Sequence, residues 1–282
     1  GFGSDDVSLF EYTPQGELVW SALVKVPYVG MLHDFAVTEN YIVIYVIPMV
    51  IDHQQIQEGN LIPNIELEVV CHFIEEGNVF LDVGANAGIF TEAVNKKCDG
   101  NVEIHSFEPH PAQYHSLSQD NWNNKNIKCY NVAVTNFIGK TKLWYRPEDD
   151  GNQFGGSTII DELAVPRRLG TSMDYIEADA ITLDSLNLSP DVIKIDTEGA
   201  ESNILEGASK TIQKYKPIII LEYGADGPED FEPRSVEILK SYGYKFFWNI
   251  EDHCKFNKKE HLFCNILAMY EETLEDNHNA RN

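Results

Sequence analysis

A glycine-rich turn followed by an isolated carboxylate is the part of this sequence with the clearest chemistry. Residues 79–88 read VFLDVGANAG, a short apolar strand that runs into a turn and then a helix. Glycines let the backbone approach a ligand closely, and a helix N-terminus offers free N–H groups. Glu108 ends the next predicted strand, where a carboxylate can accept hydrogen bonds from both ribose hydroxyls. Together they favour a nucleoside cofactor over an ordinary tight turn.

The glycine spacing narrows the choice of cofactor. A dinucleotide fingerprint reads G-x-G-x-x-G, and its middle glycine makes room for a pyrophosphate. Here the turn reads GANAG and lacks that glycine, which favours a cofactor without phosphates. S-adenosylmethionine, with its adenosine, sulfonium and amino-acid tail, fits this description. Asp82 would hold the ammonium of the tail directly or through water, or it caps the turn.

A second group of acidic residues follows another predicted strand. The segment Lys194–Gly199 reads KIDTEG and lies at the carboxyl end of its strand, the edge where open α/β sheets bind ligands. Asp196 or Glu198 could orient an acceptor hydroxyl or take up its proton. The alternative is that both cap the helix that follows, and the two roles are compatible. Glu222 is a third candidate at the same edge.

The elements that must position these residues alternate along the chain. From residue 66 onward, apolar runs alternate with helical stretches, which predicts βαβ units and a mostly parallel sheet. Strands are predicted over 78–83, 102–107, 127–134, 140–145, 192–196, 217–223, 244–250 and 263–270, and helices over 66–76, 89–97, 111–123, 200–214 and 234–242. The irregular insert 146–169 is predicted to be a lid or substrate loop.

The text before residue 66 has a different character. Residues 1–50 are rich in Val, Ile and Tyr and are predicted to form a β-rich fragment. We assign 51–65 to a linker, 66–271 to one α/β domain, and 272–282 to a polar tail.

Composition excludes several classes of partner. The chain has 282 residues and a formal net charge of −24. Nucleic-acid backbones require clustered Lys and Arg, so we expect no nucleic-acid partner. The apolar run 41–51 is too short for a membrane span, and Pro48 interrupts it. The five cysteines form no C-x-x-C pair, so we predict no metal site and a reducing, cytoplasmic location.

Residues 66–271 resemble the FkbM-type S-adenosylmethionine-dependent methyltransferases. The matching blocks are FLDVGANAGIFT, SFEPHP, NVAVTNFIGK, GGSTI, ITLDSL, DVIKIDTEGAE and PIIILEY, in the order of that family. The resemblance implies an α/β, Rossmann-like sheet, mostly parallel with an antiparallel edge strand. It also implies methyl transfer, typically to an oxygen of a small molecule or sugar. Carried over, Glu108 would bind the ribose and Ala133 would lie beside the adenine. The rest of the implied cofactor set, at the methionine end, is Asp82, Gly84, Ala85, Asn86 and Gly88.

The N-terminal fragment resembles part of another family. Residues 16–49, and especially 26–50, resemble an internal piece of a carotenoid cleavage oxygenase, a β-propeller iron enzyme. The M-x-HDF-x-x-TENY block of that family matches residues 31–41, with His33 at an iron-ligand position. Iron in that family is held by four histidines from separate blades, and the other histidines here have no matching context. We therefore interpret the chain as a fusion in which His33 is a relic.

Three hypotheses follow for function. The first is S-adenosylmethionine-dependent methylation, with Asp196 and Glu198 as catalytic residues and a small-molecule or glycan hydroxyl as acceptor. The second is a fragment of an iron-dependent dioxygenase anchored by His33. The third is an inactive fusion that only binds the cofactor. We expect residues 20–50 to pack on the methyltransferase domain or to promote self-association. Deletion of residues 1–60 should leave cofactor binding intact.

Overall fold

The structure is a computed structural model in which the chain divides into two compact units, Gly1–Asn64 and Ile65–Asn282. It describes the strands within residues 6–44 and the residues 65–121, 123–145, 157–164, 173–224, 234–252, 254–258 and 264–270. His33, the linker residues 51–64, the tail 272–282 and most of the insert 146–169 lie outside the described residues.

The first unit contains two pairs of antiparallel strands. β1 (Asp6–Tyr12) pairs with β2 (Leu18–Lys25), and the register shifts at the end of β1. β3 (Phe35–Val37) pairs with β4 (Ile42–Ile44). The predicted N-terminal β segment is therefore confirmed.

The second unit is an α/β domain. Its elements are α1 (Ile65–Phe73), β5 (Val79–Val83), α2 (Ile89–Lys97), β6 (Glu103–Phe107), α3 (Pro111–Asn121), β7 (Ile127–Tyr130), β8 (Ala133–Val134), β9 (Gly139–Tyr145), β10 (Asp174–Ile181), β11 (Val192–Ile195), α4 (Glu201–Gly207), α5 (Ser209–Tyr215), β12 (Ile218–Tyr223), α6 (Ser235–Ser241), β13 (Tyr244–Asn249), β14 (Cys254–Lys255) and β15 (Cys264–Tyr270). Two short 3-10 turns, Asp161–Leu163 and Leu183–Leu186, complete the described part.

Eight of these strands form the main sheet, in the order β14-β13-β15-β12-β11-β5-β6-β7. The five strands from β12 to β7 are parallel, β15 runs antiparallel between β12 and β13, and the short edge strand β14 is antiparallel to β13. This confirms a Rossmann-like, mostly parallel sheet with an antiparallel edge strand. A second sheet of three strands has the order β8-β10-β9.

Burial on both faces explains why the central strands read as continuous apolar runs. On one face, Ile193 and Ile195 pack with the apolar side chains of α4, α5 and α6. On the other face, Phe80 and Val192 pack with those of α1 and α2. The carboxyl ends of β5, β6 and β11 are thereby held at one edge of the sheet.

Two predicted elements differ from the structure, and the strand β10 is an addition to the predicted ones. The predicted strand 127–134 is two strands, because β7 pairs in the main sheet whereas β8 pairs with β10 in the smaller one. The predicted helix 200–214 is two helices that meet at Ala208, where Gly207 lies against the backbone of Thr135. β10 was not predicted, because it faces solvent on one side and its charged positions hide its apolar ones. Within the described residues, no helix is long and apolar enough to cross a membrane.

Candidate active site

A cavity of about 360 Å³ opens at the carboxyl ends of β5, β6 and β11. Seven of the predicted site residues line it: Gly84, Ala85, Asn86, Glu108, Ala133, Asp196 and Glu198. Two others, Asp82 and Gly88, are not among its lining residues. Most of the site residues predicted from the sequence therefore lie together in the structure, at the edge where an open α/β sheet binds its ligands.

The glycine turn packs directly on the loop that follows β11. Gly84 has a φ of +78°, and a Cβ built there would lie 1.8 Å from the carbonyl oxygen of Asp196. The N–H groups of Gly84 and Ala85 both donate to the carbonyl oxygen of Phe107, at 3.0 Å. Only glycine fits a left-handed position with a backbone atom this close. The turn is therefore fixed against the ends of two neighbouring strands.

Glu108 is held by the backbone on both of its oxygens. Its Oε2 accepts from the N–H of Asn86 at 2.9 Å, and its Oε1 accepts from the N–H of His110 at 2.7 Å. Burial raises the pKa of Glu108 to about 7, although these two hydrogen bonds act in the opposite direction. Each oxygen retains a second lone pair for a donor in the cavity.

Asp82 lies beneath the turn and is completely buried. Its Oδ2 accepts from Thr91 Oγ1 at 2.7 Å, and that hydroxyl is also 2.7 Å from Ser106 Oγ. Its Oδ1 has no hydrogen-bond partner among the described residues. Burial raises the pKa of Asp82, and the nearby Lys194 partly offsets this. Asp82 therefore has one buried oxygen available for a donor.

Lys194 is the charged residue that the sequence did not assign a role. It is buried beneath the cavity, with Nζ 3.1 Å from Asp196 Oδ2 and 4.5 Å from the centre of the Phe90 ring. Burial alone would lower the Lys194 pKa, but the charges of Asp196, Asp82 and Glu66 outweigh it and the pKa lies above its ordinary value. The ammonium is thus permanently charged, and it fixes the partly exposed Asp196 carboxylate at the cavity. The sequence did contain a signal for the role of Lys194. A lysine two residues before Asp196, in an apolar strand, lies on the same face as Asp196 because side chains alternate along a strand.

The loop after β11 is strained at Glu198. That residue has a φ of +54°, and Gly199 follows with +104°. Glu201, at the start of α4, holds the loop by accepting from Thr197 N at 3.0 Å and from Thr197 Oγ1 at 2.8 Å. A non-glycine residue in this conformation costs roughly 1 kcal/mol or more, and such strain often lies at functional sites.

Glu222 lies at the end of β12, beside this loop. It is only 8% exposed, and its Oε2 has no hydrogen-bond partner among the described residues. Burial, together with the negative charges of Asp196 and Glu198, raises the pKa of Glu222 to about 10. The side chain therefore carries a proton at neutral pH.

The opposite end of the cavity is apolar. Ala133 is buried there, and Phe107, Val134, Leu143 and Ile159 also line the cavity. Ile159 and Ser157 belong to the insert that the sequence predicts as a lid or substrate loop. Neither was singled out as a site residue, because the insert has no periodic pattern.

The residues present fit S-adenosylmethionine. Glu108 has free lone pairs for ribose hydroxyls, the apolar end suits an adenine ring, and the Oδ1 of Asp82, unpartnered among the described residues, lies beneath the glycine turn that would surround the methionine tail. The cavity contains no cluster suited to phosphates, since Lys194 is the only Lys or Arg among its lining residues. Within the described residues there is also no group of His, Cys, Asp and Glu that could hold a metal ion.

The strand order and the cavity at the carboxyl edge define the class of Rossmann-like methyltransferase folds. The model of the methyltransferase FkbM domain matches residues 82–246, more than half of the chain. The chain belongs to the FkbM methyltransferase family, and its cofactor is S-adenosylmethionine, as the sequence predicts.

The N-terminal residues match a different family. The model of the retinal pigment epithelial membrane protein matches residues 1–69, which confirms the resemblance to carotenoid oxygenases. Carotenoid cleavage oxygenase 1 of Neurospora crassa is 36% identical over 59 residues, covering 21% of this chain and 11% of that protein. Resveratrol cleavage oxygenase 1 of Aspergillus fumigatus is 40% identical over 62 residues, covering 21% of this chain and 12% of that protein. The chain thus spans about a tenth of these curated relatives.

Solved structures with a similar fold are distant. An FkbM methyltransferase from Methylobacillus flagellatus aligns with a TM-score of 0.44 and 15% identity, over 70% of this chain and 44% of that chain. A TehB-like methyltransferase from Corynebacterium glutamicum aligns with a TM-score of 0.42 and 12% identity, over 77% and 92% of the two chains.

Proposed function

We propose that this protein is an O-methyltransferase that methylates a hydroxyl group of a small molecule or sugar. The observation that carries the proposal is the Asp196 carboxylate, which lies at the cavity and is held by the buried Lys194 ammonium at 3.1 Å. A carboxylate held at a fixed position can accept a proton from an alcohol within hydrogen-bond reach. We therefore propose both the transfer to oxygen and the acceptor class, a hydroxylated small molecule or a sugar.

The cofactor contacts proposed here follow the sequence prediction. Glu108 accepts hydrogen bonds from the ribose, and Ala133 lies beside the adenine. Asp82, which does not line the cavity, holds the ammonium of the methionine tail through water, and the backbone of the glycine turn surrounds that end. The remaining members of the predicted set act through the turn: Gly84, Ala85, Asn86 and Gly88.

Two acidic residues act on the acceptor in this proposal. When bound, S-adenosylmethionine supplies a methyl group on a positively charged sulfur. Asp196 would orient the acceptor hydroxyl through Oδ1 or Oδ2 and take up its proton. Glu198 holds the acceptor from the adjacent position of the loop. Most of the acceleration comes from orientation and from exclusion of water, because methyl transfer does not require a strong base.

Transfer of a radiolabelled methyl group to a panel of small hydroxylated compounds and sugars tests this function. We expect label in at least one hydroxyl compound with the intact chain. The Asp196→Asn variant should lose activity by roughly 100-fold or more while it still binds S-adenosylhomocysteine. Binding of the cofactor without transfer to any hydroxyl compound would support the third hypothesis, a fusion that only binds the cofactor.

A further inference from the structure

A cluster of four carboxyl groups surrounds one buried ammonium below the cavity. Asp82 on β5 lies opposite Lys194 on β11, and Glu222 on β12 falls on the same face of the sheet by the two-residue period of strands. Asp196 bonds Lys194, and Glu66 on α1 interacts with it electrostatically from the facing helix. We call these five residues the Lys194 cluster.

The cluster has more acids than it can keep ionised with one cation. Burial raises the pKa of Glu66 to about 7, and burial with the neighbouring negative charges raises that of Glu222 to about 10. Glu222 Oε2 and Asp82 Oδ1 are both buried, and neither has a hydrogen-bond partner among the described residues. Buried polar atoms normally have a hydrogen-bond partner, so these two oxygens leave the cluster able to accept a further donor or to respond to a nearby positive charge.

Glu222 is electrostatically connected to the cavity. Four charged groups act on it most strongly, and three of them line the cavity: Lys194, Asp196 and Glu198. The fourth, Glu201, already accepts hydrogen bonds from the loop after β11. On the other side, Asn265 of β15 faces Glu222 and is bonded to Glu251. A positive charge that enters the cavity beside Asp196 and Glu198 therefore stabilises the Glu222 carboxylate.

We propose that the Lys194 cluster distinguishes the positively charged methyl donor from S-adenosylhomocysteine, whose sulfur is uncharged, and that Glu222 is the specificity-determining residue. This inference rests on the proposed function. When the donor binds, the O–H bond of Glu222 breaks, the proton passes to the buffer, and the carboxylate that remains balances the incoming charge. When the product binds, no charge enters and Glu222 keeps its proton. The cluster thus favours the donor and weakens retention of the product.

Titration calorimetry with the intact chain tests the proposal without knowledge of the acceptor. S-adenosylmethionine and S-adenosylhomocysteine are each titrated near pH ~8.5 in two buffers of different ionisation enthalpy, which gives the number of protons released. An opposite charge a few ångströms away lowers a carboxyl pKa by about 1–3 units, so the wild type should release up to about one proton more with the donor than with the product. The donor-to-product affinity ratio should rise roughly tenfold between about pH 7 and pH 9.

Two variants assign the effect to Glu222. Glu222→Gln should abolish both the difference in proton release and the pH dependence of the affinity ratio. Glu103→Gln is the control, because Glu103 is an exposed carboxylate that belongs neither to the cavity lining nor to the Lys194 cluster, and it should leave the difference unchanged. A proton release by Glu108 cancels in the comparison, since both ligands carry the same ribose.

The outcomes separate this inference from the proposed function. If both ligands bind the wild type with equal proton release, the discrimination by Glu222 is wrong and the proposed function stands. If neither ligand binds, both are wrong. If Glu222→Gln does not fold, Glu222→Met of similar volume replaces it, and the proton exchange of the ligands' own amino groups, which either variant retains, is subtracted from that of the wild type.

Discussion

At the Glu108 end of the cavity both carboxylate oxygens receive a backbone N–H, whereas at the Lys194 end the interactions are between charged side chains. Glu108 accepts from Asn86 and His110, at 2.9 and 2.7 Å. Lys194 has one direct ion pair, with Asp196, while Asp82 and Glu222 keep oxygens without hydrogen-bond partners among the described residues. Backbone geometry therefore fixes the first end, whereas charge balance governs the second. The same pocket thus combines rigid recognition with adjustable electrostatics.

The largest loss of stability is expected at Gly84, whose backbone contacts both the loop that contains Asp196 and the strand that precedes Glu108. Gly84→Ala places a Cβ 1.8 Å from the Asp196 carbonyl oxygen, at a φ of +78°. Because backbone and not a flexible side chain must move, we expect a loss of about 4 kcal/mol or more in the free energy of unfolding, measured by urea denaturation.

Gly77→Ala is the matched control for this substitution. Gly77 has a similar φ of +83°, but nothing lies within 4 Å of the added Cβ. Only conformational strain remains, and we expect a cost of about 1 kcal/mol. Equal losses for the two variants would show that the contact with Asp196 does not fix the turn.

The contrast between the two ends also explains how far the sequence could predict the site. The Gly84 turn and Glu108 act through backbone geometry at the ends of strands, and both strands are readable as short apolar runs. Glu222 is predicted at the same edge because it lies near the end of an apolar strand, whereas Lys194 lies inside such a strand and its importance depends on which strands are neighbours. The order β5-β11-β12 joins segments far apart in the chain, and local periodicity does not encode it. The contact of Gly207 with Thr135, which coincides with the helix break, is long-range for the same reason.

Removal of the buried cation tests the charged end alone. Lys194→Met leaves Asp82 and Asp196 without their counter-ion, so we expect unfolding to become easier by about 3 kcal/mol near neutral pH. The loss should be smaller at pH ~5, because Glu66, whose pKa burial raises to about 7, is then protonated and no longer needs the ammonium. Denaturation at both pH values measures this difference.

Lys140→Met provides the control, since Lys140 is an exposed residue whose Nζ is 2.8 Å from Asp179 Oδ1. Exposed pairs contribute little to stability, so this variant should behave like the wild type. An equally small effect of Lys194→Met would contradict the interpretation of the Lys194 cluster as a charge-balanced unit.

The backbone-held end is tested through its pH dependence. The pKa of Glu108 is raised to about 7, and the protonated form is a poorer acceptor for two ribose hydroxyls. Affinity for S-adenosylhomocysteine should therefore fall as pH drops, by up to about tenfold between pH 8 and pH 6. Glu108→Gln should lower the affinity near pH 8 by roughly 10- to 100-fold and remove this dependence.

Glu103→Gln is the control on the same strand. Glu103 is exposed at the opposite end of β6, where it bonds Lys128 and His105. We expect unchanged affinity in calorimetric titrations at both pH values. If Glu108→Gln matched this control, the ribose contact would have to be abandoned.

The smallest expected effect concerns the strained residue between the two ends. Glu198 has a φ of +54°, so Glu198→Gly relieves strain while it adds disorder to the unfolded chain. We expect a net gain of a few tenths to about 1 kcal/mol in the free energy of unfolding, with methyl transfer reduced at least tenfold. Glu198→Ala removes the carboxylate but keeps the strain, so it should lose activity without the gain in stability.

Asp99→Gly is the control for the relief of strain. Asp99 has a φ of +47° in an exposed turn outside the cavity lining, so this variant should gain stability and leave activity unchanged. If Glu198→Gly retained full activity, the strain would have no catalytic purpose, and Asp196 alone would serve the acceptor.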